Sequence, residues 1–144
     1  MLDLPDAEAL RKAKEEMKQR TGVDRFLVQQ MVRGVGEALI GYRVDAQVGP
    51  IVMVAAGGAL AEIHRDRSLR LAPVDIDTAR EMIADVRLLQ ALAGDLEALA
   101  AALAALSQLA GDPSVLEAEV NPLIVREKGR GVVAVDALVR VTRS

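Results

Sequence analysis

The amino-acid sequence predicts an α+β fold, a mainly antiparallel mixed sheet covered by helices. Three observations predict it. Apolar runs at residues 26–32, 37–45 and 51–56 are joined by short, glycine-containing turns. None of these turns has room for the dozen-residue crossover that parallel neighbours need. Two stretches with helical spacing follow, between residues 77 and 110. The last third alternates as a two-stranded ribbon. With 144 residues, 51% of them hydrophobic, the chain suits one domain with a real core, residues 1–144.

Taken in order, the first element is a helix. Asp3 or Asp6 caps it, Pro5 suits its first turn, and Leu10, Ala13 and Met17 share one face. Gly22 ends it. A strand is expected at Phe26–Val32, then others at Glu37–Asp45, 51–56 and 59–65. The next helix is expected to start at Asp77, with Ala79, Met82, Ile83, Val86 and Leu89 on its apolar side. Gly94 separates it from a helix beginning at Asp95, whose stripe is Leu96, Leu99, Leu103, Leu106 and Ala110. Gly111-Asp112-Pro113 stops that helix.

Composition excludes several chemistries. With no cysteine there is no disulfide, thiolate metal site or cysteine nucleophile. A formal charge of −3, without a basic run, argues against nucleic acid. Phe26 and Tyr42 are the only aromatic residues. The start lacks the pattern of a signal peptide, and the most apolar stretch is broken by Asp95 and Glu97. No membrane partner and a cytoplasmic location are the expectations.

The closing ribbon carries the chemistry. A two-residue turn at Lys128-Gly129 pairs Asn121 with Asp136, Val120 with Ala137 and Ile124 with Val133. The two-residue period then puts Glu117, Glu119, Asn121 and Asp136 on one face. The other face, with Ala118, Val120, Ile124, Val133, Val135, Ala137 and Val139, is wholly apolar and expected to meet the helices. Glu119, Asn121 and Asp136 are hard oxygen donors within reach of one another, suited to magnesium. The same pattern also describes a solvated strand face, and a one-residue slip would undo it.

LEAEVNPLIV, a short turn and GVVAVDALV together resemble the magnesium end of an ATP-grasp domain. More narrowly, they resemble the carboxyl-terminal lobe of that domain in NDP-forming acyl-CoA synthetases, relatives of the succinyl-CoA synthetase β subunit. FLVQQMVRGVGEALIGYRVDAQVGPIVMVAAGGALAEIHRDRSLRLAP is similar to the same family. The resemblance implies Mg2+ and ADP/ATP as cofactors, with Glu119, Asn121 and Asp136 at the metal. It implies that Val28, Gln29, Gln30 and Met31 form a hinge meeting adenine, and that Glu37 and Arg70 belong to the nucleotide site. Gly57-Gly58, Glu62, Asp66 and Pro73 lie in the same stretch. The implied reaction converts acyl-CoA, ADP and phosphate to acid, CoA and ATP through a phosphohistidine.

The sequence departs from that family in length and detail. The ATP-grasp first lobe and the CoA-binding and histidine-bearing domains are missing, so no catalytic residue is assigned. The family's Gly-x-Arg-Gly loop is shortened here to Gly94-Asp95, and Ala55 replaces a usual glycine. Three readings follow: a lobe working with a separate partner, a degenerate structural or interaction domain, and a fragment of a longer ligase. An uncovered lobe would also self-associate, most simply as a dimer. His64 reads as a half-exposed strand residue rather than a phosphoryl carrier. Arg65, Arg67 and Arg70 read as a solvated turn or a phosphate contact, Arg70 being the best member.

Overall fold

The computed structural model describes residues 3–57 and 66–142. The strand expected at 59–65, with Gly58, Glu62, His64 and Arg65, lies outside the described residues. The chain forms two compact units, Met1–Val32 and Arg33–Ser144.

The smaller unit contains helix α1, Ala7–Thr21. Asp6 caps it, its carboxylate accepting from the backbone N–H of Glu8 at 3.0 Å and of Ala9 at 2.8 Å. Gly22 closes the other end in the left-handed region, φ 70°, where a side chain would be strained. The strand expected at Phe26–Val32 does not form: residues 22–34 carry no strand. A strand needs a neighbour for its N–H and C=O groups, and this unit contains one helix and no second strand among its described residues.

The larger unit is built on six strands: β1 Gly36–Asp45, β2 Gly49–Ala56, β3 Arg67–Leu71, β4 Val115–Val125, β5 Val132–Ala134 and β6 Ala137–Val141. Their order is β3-β2-β1-β4-β5, with β6 beside β4 beyond the end of β5. Every pairing among them is antiparallel, in agreement with the mainly antiparallel sheet expected from the sequence. β3 was not foreseen as a strand, because its Arg67-Ser68-Leu69-Arg70 pattern reads as a basic turn.

Helices α2 (Ile76–Ala84), α3 (Arg87–Gln90) and α4 (Leu96–Ser107) cover one face. Ala38, Ile40, Val52 and Val54 point down from that face onto Met82, Leu89, Leu99 and Leu103, all buried in one cluster. Full burial of each large side chain stabilises the unit by about 1.5–3 kcal/mol. α2 starts at Ile76 rather than at Asp77, because Asp75 supplies the cap, accepting from Thr78 N–H at 2.8 Å. The pattern expected as one helix to Leu89 breaks at Asp85-Val86. There the Asp66 carboxylate accepts from Leu88 N–H at 2.9 Å and starts a new turn.

The ribbon register is the one the sequence predicts. Val120 faces Ala137, Ile124 faces Val133, and Arg130 N–H closes the turn on the Glu127 carbonyl at 2.9 Å. Gly129 takes φ 78° at the turn. The faces differ from expectation. The β1–β4 register shifts between Ala38 and Ile40, so Asn121 and Pro122 together oppose Leu39. This bulge exchanges the inward set from Ala118 and Val120 to Leu123 and Val125, which are 3% and 0% exposed. Ile124, expected inward, takes the opposite face, and Val139 is not covered by any helix.

Candidate functional site

The face of the sheet turned away from the helices carries a groove of about 360 Å³. Gly41, Ile51, Met53 and Leu69 form its floor, and Arg43, Arg67, Glu117 and Glu119 its rims. The period of two puts them there, since their neighbours Ile40, Val52, Val54 and Ser68 are buried on the helix side. Gly41 opens the floor: a Cβ added there would meet nothing nearer than the Met53 methyl at 3.8 Å.

Beyond Glu119 the strand reaches the bulge. Asn121 donates through Nδ2 to Glu119 Oε1 at 3.2 Å, and its backbone N–H donates to the Asp136 carbonyl at 3.0 Å. The backbone thus sets Asn121 and Asp136 side by side, both exposed, at the end of the grooved face. Bonding through Nδ2 leaves the Asn121 carbonyl oxygen without a protein donor among the described residues. Two carboxylates and one such oxygen fit magnesium, which keeps several waters and takes one or two carboxylates plus substrate phosphates. No group of three or more acidic or histidine side chains able to hold a metal occurs among the described residues.

The other residues singled out from the sequence are placed as follows. Glu37 is exposed on β1 opposite Ile124, on the face of the groove but just past the bulge and outside the residues that line the groove. Arg70 faces Val52 across the β2–β3 pair and so lies on the helix side. It bonds Asp85 at 2.8 Å, a carboxylate that also accepts from buried Ser68 at 2.9 Å. The Ser68 hydroxyl, then Arg70, hold the Asp85 carboxyl below the usual range. Arg70 is therefore tied to the α2 terminus and is not brought to Glu119. Of the two described members of that basic cluster, Arg67, ranked below Arg70 from the sequence, is the one that lines the groove. Its alternation with Ser68 was the available signal. Val28 and Gln29, in the smaller unit, line a depression of about 760 Å³ with Leu10, Met17 and Phe26. Gln30 and Met31, both exposed, follow in the same unit.

Asp95 braces the ribbon. Its carboxylate accepts from Gly131 N–H at 2.8 Å in the turn and from Ala98 N–H at 3.2 Å at the start of α4. Those bonds, Gly131 first, hold its carboxyl below the usual range. A depressed carboxyl stabilises the fold above its unfolded pKa and stops doing so as pH falls through its folded value. Urea unfolding of the chain should therefore show a falling midpoint below about pH 4. Asp95→Asn should lower the midpoint at neutral pH and flatten that acid limb; an unchanged profile would refute the bracing role.

This antiparallel sheet with a helical back matches the fold of the ATP-grasp carboxyl-terminal lobe in solved structures. Residues 1–141 match the ATP-grasp domain family, and the chain belongs to it. Within it, the chain is homologous to the ADP-forming acyl-CoA synthetases. It is 40% identical over 119 residues to an acetate–CoA ligase [ADP-forming] I of Archaeoglobus fulgidus, covering 77% of this chain and 17% of that protein. It is 33% identical over 153 residues to the β subunit of acetate–CoA ligase [ADP-forming] II of Pyrococcus furiosus, covering 95% and 65%. A solved acetyl-coenzyme A synthetase of Candidatus Korarchaeum cryptofilum, in complex with coenzyme A and Mg-AMPPCP, superposes with a TM-score of 0.85 at 30% identity. That match covers 99% of this chain and 67% of that one. The chain thus spans under a fifth of the single-chain ligase and about two thirds of the subunit. No described helix is long and apolar enough to cross a membrane.

Proposed function

We propose that this chain is a Mg-ADP/ATP-binding module serving the nucleotide step of an NDP-forming acyl-CoA synthetase in the cytoplasm. The observation that carries this reading is the juxtaposition of Glu119, Asn121 and Asp136 at the end of an apolar-floored groove. The nucleotide lies along the groove against Gly41, Ile51 and Met53, with its phosphates at the bulge. Asp136 and the Asn121 carbonyl oxygen hold the magnesium, and Glu119 positions Asn121 through the Nδ2 bond or holds a metal-bound water. When bound, the ion neutralises charge on the phosphates and orients them. Glu37 is proposed to act on the same face just past the bulge, and Val28, Gln29, Gln30 and Met31, in the smaller unit, to offer backbone groups to adenine. Arg70, engaged by Asp85, is proposed to act only through the position of β3.

Turnover of acyl-CoA, ADP and phosphate to acid, CoA and ATP is proposed only together with a first lobe and CoA-binding and histidine-bearing domains. The relatives named for that activity are longer than this chain, which supports the need for partners. Calorimetric titration with ADP tests the binding role. Saturable binding is expected in magnesium and loss of at least about tenfold in affinity with EDTA or Asp136→Ala. Binding that ignores both changes, or no binding, would favour the alternative, a structural or interaction domain without nucleotide chemistry.

A further inference from the structure

The β6 edge is exposed along its whole length, with Leu138, Val139 and Val141 at 60%, 61% and 53%. Among the described residues β6 pairs only with β4, so its outer edge presents unpaired N–H and C=O groups. Protein sheets blunt such edges with lysine, proline or bulges. β6 has no proline and no lysine, and its one cation, Arg140, is drawn 3.2 Å from Glu117 on the adjoining strand. The strand is also self-complementary. Laid antiparallel on its own copy about Leu138, it sets Leu138 on Leu138, Ala137 on Val139 and Asp136 on Arg140. The last pair occurs twice, once on each side of the axis. Centring on Val139 instead would set Leu138 against a guanidinium.

We infer that β6 joins two copies of this chain as antiparallel neighbours about a two-fold axis through Leu138. The sheet then runs on from one copy to the other, and Arg140 of each copy lies between Glu117 of its own chain and Asp136 of the other. Apolar surface left open at Val139 and Val141 is covered by the same surface of the second copy. Asp136 serves both the proposed magnesium site and this pairing, so the dimer is tested in EDTA without nucleotide, where loss of the metal site cannot mimic loss of the dimer.

Sedimentation equilibrium of the full chain should show a reversible dimer. Arg140→Asp should weaken it about tenfold or more by placing acid against acid. Adding Asp136→Arg to that variant should restore it. Because the chain has no cysteine, Leu138→Cys provides a second readout that leaves the charges intact. It should cross-link into a dimer on mild oxidation, and Val139→Cys, whose copies lie off the axis, should not. A monomer at every concentration, a dimer indifferent to Arg140→Asp, or equal cross-linking at both positions overturns the inference.

Discussion

Gly41→Val should abolish magnesium-dependent ADP binding while leaving the melting temperature unchanged or slightly higher. Gly41 is paired with Met53 and Glu119 in mid-strand, and nothing lies closer than 3.8 Å to a Cβ built there. The fold therefore accepts a Cβ at this position without moving. A β-branched residue in place of glycine adds up to about 1 kcal/mol of strand stability. The added methyls project from the floor into the groove, where the nucleotide is proposed to lie. Affinity should fall by at least about tenfold. Wild-type ADP affinity in Gly41→Val, with the thermal transition unchanged, would remove the nucleotide from this groove.

The opposite pattern is expected at Gly94. A Cβ there would lie 2.6 Å from Val125 Cγ1, 3.0 Å from Val35 Cγ2 and 3.3 Å from the Arg126 carbonyl. Val125 is fully buried and cannot turn away. Gly94 also bridges Glu127, and its neighbour Asp95 donates N–H to Arg126 O at 2.9 Å and grips the turn through its carboxylate. Gly94→Ala must push α4 and the ribbon apart, costing about 2–3 kcal/mol as overpacking. For a unit of this size, that lowers the melting temperature by roughly 10–20 °C. A shift of less than about 3 °C in differential scanning fluorimetry would show that the loop relaxes freely. Glycine is thus required at Gly94 by space and at Gly41 only by the proposed ligand.

Much of this architecture was legible in the sequence because local rules and tertiary contacts agree there. Asp6, Gly22, Asp95 and the Lys128-Gly129 turn each mark a boundary by their own bonding, and the structure uses all of them. The alternation of β1 and β2 is clean because one face is buried and the other is not. What the sequence concealed depends on neighbours. Phe26–Val32 has strand composition, yet a strand exists only where another pairs with it. The bulge at Asn121-Pro122 is set by register against Leu39, which no count along β4 reveals, so Ile124 and its partner Val133 face away from the helices rather than toward them. Arg70 and Arg67 look alike in sequence. Only the pairing with Val52 and Ala55 puts one behind the sheet and the other in front.

The pairing of Asn121 with Asp136 was legible because it follows from the turn alone. Its use as a metal site is the central claim, and paramagnetic substitution tests it most directly. Manganese replaces magnesium with the same oxygen-ligand preference, and its unpaired electrons erase nearby NMR signals. With ADP present, small additions of Mn2+ should erase the backbone amide signals of Glu119, Asn121 and Asp136 first. Those of Asp75 and Asp112, exposed acids elsewhere in the same unit, should persist. Loss of signal at Asp75 or Asp112 before Asn121, or the same losses without ADP, would contradict a nucleotide-borne cation at the closing ribbon.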